Sequence, residues 1–273
     1  MRIDAVLAAD DPRLADYTLA REPAELKRRG IFLAESREVV AALVRAGRYR
    51  VRSVLATRSI LSALAAELSL LGGEAPVYAA EPALMTGVVG YTVHRGCLAV
   101  GERGPGSSVP EMRAAAFGNP RLLVALEEVS NPDNVGGIFR NSLAFGAGGV
   151  LLGPGSGDPL YRKAIRTSMA ATVRIPFAAV PDLPAALGRL REDGFTVVAL
   201  TCREPAVDLD DFVRQGRPGK LVLVAGSEGA GLKPGTLAAA DAAVRIPMAP
   251  DVDSLNVSVA VGIALHALSR LAA

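Results

Sequence analysis

Short apolar runs alternate with helical patterns in the amino-terminal part of the chain. Ser36 precedes a stretch with Val39, Val40 and Leu43 at helical spacing, so its hydroxyl is placed to act as a helix N-cap. The pattern predicts a polar lead-in with a short helix at 1–24, strands at 30–34, 51–56, 75–79 and 96–101, and helices after residue 36 and at 60–71 and 82–89. This alternation predicts a small α/β domain over residues 1–104.

The carboxyl-terminal part alternates in the same way after a stretch rich in Gly, Pro and Ser. That stretch predicts an interdomain linker at 105–119. Beyond it the pattern predicts strands at 121–126, 149–152, 173–177, 196–200, 220–225 and 243–246, and helices at 137–145, 160–171, 183–193, 234–240 and 254–272. Residues 120–273 are therefore expected to form a second α/β domain on a mostly parallel sheet.

The polar segment EEVSNPDNVGGIFR, Glu127 to Arg140, follows an apolar run with the look of a buried strand. Its Asn-Pro and Asp-Asn pairs signal a turn, and a helical pattern resumes at Gly136. Loops between a strand end and a helix start are where α/β proteins bind ligands, and Arg140 is placed to reach back over this loop. Taken alone, the segment favours the simpler interpretation, a capped turn that carries a solvated arginine.

Two further stretches have the same character. LVLVAGSEGAG, 221–231, is a strand that ends in a loop with glycines on both sides of Glu228, so its backbone can approach a flat ligand closely. Glu228 is interpreted either as a carboxylate that orients Asn, Arg or substrate, or as a cap for loose N–H groups. IPMAPDVDSLNVS, 246–258, ends a strand at a proline and starts a helix, with Ser254 as the expected N-cap.

These three stretches, in this order, resemble the motifs of the SpoU (TrmH) branch of the SPOUT RNA methyltransferases. The motifs are N-P-x-N-x-G-x-I-x-R, G-x-E-G-x-G, and I-P-M followed by S-L-N-V-S. The resemblance implies a SPOUT-type α/β fold with a carboxyl-terminal trefoil knot, preceded by an RNA-binding α/β domain. It also implies transfer of a methyl group from S-adenosylmethionine to a ribose 2′-hydroxyl of tRNA or rRNA, by a homodimer that pairs through the carboxyl-terminal domain.

The resemblance also assigns site residues. The catalytic candidates are Arg140, Asn134, Glu228 and Ser258. The cofactor-binding candidates are Leu200, Thr201, Gly226, Ser227, Gly229, Gly231, Ile246, Met248, Leu255 and Asn256. Because free guanidinium has a pKa of about 12.5–13.8, we interpret Arg140 as a clamp on the neighbouring phosphate and the developing alkoxide, held in place by Asn134 and Glu228.

Basic residues are the candidates for RNA contact, because phosphates dominate the affinity of nucleic-acid binding. The candidates are Arg28, Arg29, Arg95, Lys163 and Arg166. The basic cluster that contains Arg28 and Arg29 is equally compatible with a solvated face. The chain departs from the family pattern at Ser36 and Arg95 in the first domain, and at Ala170, where a glycine is more common. In the last helix His266 and Ala267 stand where the family often has an aromatic–Glu pair.

The composition mainly argues against classes of site, such as a metal site or a membrane span. The 273 residues carry a net charge of +2, which identifies no class of partner. The two cysteines, Cys97 and Cys202, match no metal-ligand spacing, so no metal is expected. We also expect no membrane span, since no run of about eighteen apolar residues occurs, and a cytoplasmic location, since no export signal is evident.

Two other functions remain open on the sequence. One is a non-catalytic protein of the same fold that binds structured RNA, for example in ribosome assembly. The other is an unrelated α/β nucleotide enzyme, which is disfavoured because neither G-x-G-x-x-G after the first strand nor a Walker-type Gly-Lys-Ser is present.

Overall fold

A computed structural model describes residues 2–93, 96–216 and 219–272. The chain divides into two compact units, the first formed by residues 1–105 with 160–174 and the second by residues 106–159 with 175–273. The stretch predicted as a linker, 105–119, belongs to the second unit from residue 106 onward and contains a helix, α6 (Val109–Ala114). A capping box between Ser108 and Glu111 fixes the start of that helix.

The first unit is an α/β sandwich around a five-stranded mixed sheet. Its strands are β1 (Ile3–Ala5), β2 (Ile31–Glu35), β3 (Val51–Ala56), β4 (Val77–Ala79) and β5 (Cys97–Glu102), in the order β1-β4-β3-β5-β2. Its helices within residues 1–105 are α1 (Pro23–Arg28), α2 (Arg37–Ala46), α3 (Arg58–Ala63), α4 (Ala65–Ser69) and α5 (Pro82–Val89), with two short 3₁₀ helices, Pro12–Leu14 and Tyr17–Arg21. Strand β5 is antiparallel to β2 and β3, and the other pairs are parallel.

Two local predictions in the first unit need correction. The lead-in contains β1, which pairs with β4 and was not expected from its polar sequence. The helix predicted at 60–71 is two short helices separated at Leu64, whose backbone leaves the helical region at φ −102° and ψ 8°. The predicted N-cap is confirmed, since the Ser36 hydroxyl accepts a hydrogen bond from the N–H of Val39 at 3.3 Å.

Residues 160–174 pack in the first unit, although in sequence they interrupt the second. They form α7a, which we define as Arg162–Thr167, and α7b, defined as Ala171–Arg174. The Arg162 guanidinium pairs with the Glu35 carboxylate at 2.8 Å and lies 4.2 Å from the centre of the Tyr91 ring. Burial, together with the Glu35 carboxylate, raises the pKa of Tyr91 to about 12. This polar cluster holds the segment on the edge strand β2.

The helix predicted at 160–171 is interrupted because two residues adopt left-handed backbone. Met169 has φ 49° and Ala170 has φ 69°. This conformation favours glycine, so the residue type more common in the family at position 170 matches the backbone found here. The strand predicted at 173–177 is also wrong. Residues up to Arg174 belong to α7b, and the strand found covers Phe177–Ala179.

The second unit is built on a seven-stranded sheet in which every pair is parallel. Its strands are β6 (Asn119–Glu127), β7 (Ala147–Leu152), β8 (Phe177–Ala179), β9 (Phe195–Leu200), β10 (Val207–Asp208), β11 (Lys220–Gly226) and β12 (Ala242–Arg245), in the order β10-β12-β9-β11-β6-β7-β8. Its helices, besides Val109–Ala114, are αA (Pro132–Ala144), αB (Leu183–Glu192), αC (Leu209–Arg214), αD (Pro234–Ala238) and αE (Val257–Leu268).

Two helix starts in this unit differ from the predictions, and both matter for the site. Helix αA begins five residues earlier than predicted, because Asn131 accepts from the N–H of Asp133 and Pro132 occupies the first helical position. Helix αE is capped by Asn256 instead of Ser254: its side-chain oxygen accepts from the N–H groups of Ser258 at 3.0 Å and Val259 at 3.3 Å. The three motif loops follow β6, β11 and β12, and parallel strands bring these ends to one edge of the sheet.

Candidate active site

A cavity of about 370 Å³ lies at the carboxyl edge of β9, β11 and β12 in the second unit. Nine of the ten predicted cofactor-binding residues line it: Leu200, Thr201, Gly226, Ser227, Gly229, Gly231, Ile246, Met248 and Leu255. The tenth, Asn256, follows Leu255 directly and caps αE. Sequence reasoning missed other lining residues: Cys202, Arg203, Ala225, Asp253, Ser254, Val257 and Ala260. A cavity of this size falls in the range of small-molecule sites.

The glycines of the second motif make one wall of the cavity. The N–H of Gly231 donates to the carbonyl of Ser227 at 3.0 Å, so the loop turns back on itself. A Cβ on Gly226 would lie 2.4 Å from the carbonyl carbon of Gly231 and 2.6 Å from the N of Leu232. The backbone can follow this path only with glycine at position 226, which leaves the wall open to a flat ligand.

Three polar side chains from the three motifs are hydrogen-bonded to one another. The Asn134 amide donates to Oε1 of Glu228 at 3.0 Å. The Asn256 amide donates both to the same Oε1 at 2.9 Å and to Oδ1 of Asn134 at 2.8 Å. Glu228 is therefore a carboxylate that orients two asparagines, which favours the first of its two interpretations. This triangle, Asn134–Glu228–Asn256, fixes the loops after β6, β11 and β12 relative to one another.

Ser258 lies where helices αA and αE meet. Its hydroxyl donates to Oδ1 of Asn256 at 2.7 Å, and its carbonyl accepts from the Asn141 amide at 2.6 Å. A Cβ on Gly137 would come within 2.8 Å of the Ser258 Cβ, and one on Gly262 within 2.8 Å of the Asn141 amide nitrogen. The two glycines thus permit the close approach that places Ser258 beside the first motif.

Arg140 lies in αA and is exposed. Its guanidinium forms no hydrogen bond or ion pair within the part of the chain that the structure describes. The predicted contact with Asn134 and Glu228 is therefore absent, because those two side chains are bonded to each other and to Asn256. Arg140 is a cation to which no described residue offers a compensating carboxylate, and it is open to an anionic ligand.

Glu127 is a buried carboxylate, 4 % exposed, that the sequence analysis did not single out. It accepts from the N–H of Lys233 at 2.8 Å and from the Thr236 hydroxyl at 2.6 Å. These bonds tie the end of β6 to the start of αD, just beyond the second motif. The sequence feature that could have identified Glu127 is an acidic residue at the end of an otherwise apolar strand.

Replacement of Glu127 with alanine should lower the free energy of unfolding by about 1–3 kcal/mol, the cost of leaving a buried donor, here the Thr236 hydroxyl, without a partner. Urea denaturation followed by circular dichroism measures this loss. Glu128→Ala is the matched control: the Glu128 carboxylate pairs with Lys233 at the surface, and losing such a pair costs about 1 kcal/mol or less. Equal destabilisation by the two variants would contradict the role of Glu127.

The predicted RNA-contact residues fall into three groups. Arg28 and Arg29 both pair with the Glu25 carboxylate at 2.7 Å, so each guanidinium already has an acidic partner. Lys163 and Arg166 lie three positions apart in α7a and are both exposed. Arg95 lies outside the described residues.

Other chemistry is limited in the described part of the chain. No group of three or more His, Cys, Asp or Glu residues there is arranged to hold a metal ion. Burial raises the pKa of the Cys97 thiol to about 12, which makes it a poor nucleophile at neutral pH. Among the described helices, none is long and apolar enough to cross a membrane.

Comparisons with known proteins agree with this geometry. Residues 121–266 match the family model described as the SpoU rRNA Methylase family. The chain is 34 % identical, over 98 % of its own length and 92 % of the relative, to an uncharacterised tRNA/rRNA methyltransferase of Mycobacterium bovis.

Solved structures share the fold over nearly the whole chain. The AdoMet-bound rRNA methyltransferase of Sinorhizobium meliloti superposes with a TM-score of 0.81 at 24 % identity, covering 98 % of both chains. A crystal structure of an RNA 2′-O ribose methyltransferase superposes with a TM-score of 0.74 at 22 % identity, covering 99 % of both chains. The matching family model, the relative aligned along almost the whole length and the three motif loops gathered at one sheet edge show that this chain belongs to the SpoU rRNA methylase family.

Proposed function

We propose that this protein transfers a methyl group from S-adenosylmethionine to the ribose 2′-hydroxyl of a nucleotide in tRNA or rRNA. The observation that carries the proposal is the Asn134–Glu228–Asn256 triangle at the edge of the glycine-walled cavity. Hydrogen-bonded polar side chains from three separate loops suit a site that has to position a reacting group. A core without such a role can be packed with apolar side chains alone.

The residues of the cavity fit the proposed cofactor. The backbone of the loop around Gly226 passes close enough for a flat adenine ring, and Leu200, Ile246 and Leu255 supply apolar walls. When bound, S-adenosylmethionine supplies an activated methyl group on a sulfonium. The protein then has to hold the acceptor hydroxyl in line with that methyl group, and such positioning is worth up to about 7–11 kcal/mol in favourable cases.

Arg140 is the group proposed to act on the RNA. A guanidinium is a planar cation with several N–H donors, so Arg140 is suited to bind the phosphate next to the target ribose and to stabilise the developing alkoxide, with the proton leaving late to water. The Asn134–Glu228–Asn256 triangle does not hold Arg140; it fixes the loops between which the hydroxyl is presented. Ser258, whose hydroxyl is bound to Asn256, belongs to the same support.

RNA binding is proposed for basic residues with exposed side chains, among them Lys163 and Arg166 of α7a. Arg28 and Arg29 are candidates as well, although a phosphate would have to displace the Glu25 carboxylate from both guanidinium groups. For Arg95 the assignment to RNA contact stays a prediction from the sequence, as do the trefoil knot and the cytoplasmic location.

We propose further that the protein pairs through its carboxyl-terminal unit. On αE the side chains of Val259 and Ile263, four positions apart on one face, are 50 % and 42 % exposed. Exposed apolar side chains at this spacing are typical of a helix that packs against a partner. Ile263→Lys should therefore shift the protein from dimer to monomer, as measured by light scattering after size-exclusion chromatography. Ile3→Lys, at an exposed position of the first unit, should leave the molecular mass unchanged.

The proposed activity is tested by incubating the protein with methyl-labelled S-adenosylmethionine and total RNA. We expect label in RNA, and on alkaline hydrolysis we expect it in dinucleotides, because a methylated 2′-oxygen cannot attack the neighbouring phosphate. Label in mononucleotides would place the methyl group on a base and overturn the ribose assignment. RNA binding without transfer to any RNA would favour the non-catalytic RNA-binding protein.

A further inference from the structure

We propose that Arg203 binds the α-carboxylate of S-adenosylmethionine and so selects ligands that carry an amino-acid tail. This inference rests on the proposed function, since it assigns one residue of the same cavity to one part of the cofactor. Arg203 lies in the loop after β9, which carries none of the three motifs.

The charged side chains that line the cavity include both signs. Among its described lining residues, Arg203 is the single cation, and Glu228 and Asp253 are the acids. The amino-acid tail of the cofactor ends in one carboxylate and one ammonium, beside a sulfonium. A ligand with one negative and two positive groups therefore matches a wall with one cation and two carboxylates. Among the described lining residues, Arg203 alone can form an ion pair with the ligand carboxylate.

One hydrogen bond holds the Arg203 guanidinium, and its remaining donors have no partner within the described residues. Its Nη2 donates to the carbonyl of Ala230 at 2.7 Å, and its backbone N–H donates to the Thr201 hydroxyl at 3.0 Å. The first bond links the loop after β9 to the glycine loop after β11. A guanidinium has five N–H donors, and within the described residues the other four of Arg203 have no partner. The group is thus oriented while it keeps the donors needed for a two-point bond to a carboxylate.

Two acids that follow Arg203 in the chain, Glu204 and Asp208, pair with another arginine. The Arg245 guanidinium pairs with the Glu204 carboxylate and, at 2.6 Å, with the Asp208 carboxylate. Arg245 thus pairs with both carboxylates, and it does not itself line the cavity. Within the residues that the structure describes, the positive charge of Arg203 has no acidic partner, and an incoming carboxylate would neutralise it at the cavity wall.

The test compares two ligands that differ in the tail alone. S-adenosylhomocysteine has the carboxylate and the ammonium; 5′-methylthioadenosine has the same adenosine and thioether but neither charge. Isothermal titration of Arg203→Gln should show about 10- to 100-fold weaker binding of S-adenosylhomocysteine, the range expected for loss of a charged hydrogen bond, with binding of 5′-methylthioadenosine changed by less than about twofold. Arg203→Lys, which keeps the charge without the planar fork, should fall between wild type and Arg203→Gln.

Arg214→Gln is the matched control, since Arg214 is exposed in the same unit and does not line the cavity; it should change neither affinity. Equal loss for both ligands in Arg203→Gln would overturn the proposal and make Arg203 a structural link between two loops. An unchanged affinity for S-adenosylhomocysteine would overturn it as well. If wild type binds neither ligand, the cofactor assignment itself fails, which the titration separates from a failure at Arg203 alone.

Discussion

Gly226→Ala is expected to weaken binding of S-adenosylmethionine about 10- to 150-fold and to cost about 1–3 kcal/mol of stability. The added methyl group would lie 2.4 Å from the carbonyl carbon of Gly231, 2.5 Å from its oxygen and 2.6 Å from the N of Leu232. All three are backbone atoms, so no side chain can rotate away. The glycine loop has to move outward, and the cavity wall moves with it. Isothermal titration and urea denaturation measure the two effects.

Gly188→Ala is the control for the substitution itself. Gly188 lies inside αB, and a Cβ there would meet no atom within 4 Å. Replacing a glycine in a helix with alanine stabilises by about 0.4–1 kcal/mol, and cofactor affinity should not change. If Gly226→Ala bound the cofactor as well as wild type does, the wall described at this position would be wrong.

Arg140→Ala is expected to reduce methyl transfer to RNA by about 100- to 1000-fold, the range found when one group that stabilises developing charge is removed. Binding of S-adenosylmethionine should persist, because Arg140 does not line the cavity and forms no bond to the Asn134–Glu228–Asn256 triangle. Stability should change by less than about 0.5 kcal/mol, as is usual for an exposed side chain without partners. Single-turnover transfer and titration with cofactor separate these effects.

Arg189→Ala serves as the control, because Arg189 is an exposed arginine on αB of the same unit and does not line the cavity. Its transfer rate should equal that of wild type. A loss of cofactor affinity in Arg140→Ala as large as the loss of transfer would mean that Arg140 supports the cavity, and its proposed action on the RNA would fall.

The sequence predicts the second unit well where strands are buried on both faces. Strand β11 and strand β9 are found within one residue of the predicted bounds, because runs such as 221–225 are apolar throughout and bounded by polar turns. The first residues of the helices were harder to predict. Gly136-Gly137 looked like the start of the helix, but the Asn131 cap and Pro132 begin αA a turn earlier, and Gly137 permits the close contact with αE.

Long-range packing explains two larger errors of prediction, the strand expected at 173–177 and the missed strand β1. Val173 and Ile175 alternate with other residues as they would in a strand, yet Val173 is buried in the short helix that packs in the first unit. Nothing local in the sequence distinguishes these outcomes. The same holds for β1, a three-residue strand whose existence depends on the neighbouring edge of β4.

Most of the candidate site could be identified from three motifs, and its internal bonding could not. Nine of the ten predicted cofactor residues line the cavity. The pairing of Glu228 with two asparagines, and not with Arg140, depends on the angles at which three loops meet. Arg203 was missed because its loop has no motif and reaches the cavity only through the adjacent position of β9 and β11 in the sheet.

The packing of residues 160–174 in the first unit has a consequence for dissecting the protein. The polypeptide passes from one unit to the other three times, after residues 105, 159 and 174. A truncated protein starting at residue 106 would still contain Ile165, Ala171 and Val173, which are buried in the first unit, and would expose them to water. Such a fragment should aggregate, whereas one that also replaces 160–174 with a short glycine-rich loop should stay monodisperse. A single cut in the gene therefore cannot separate the two units.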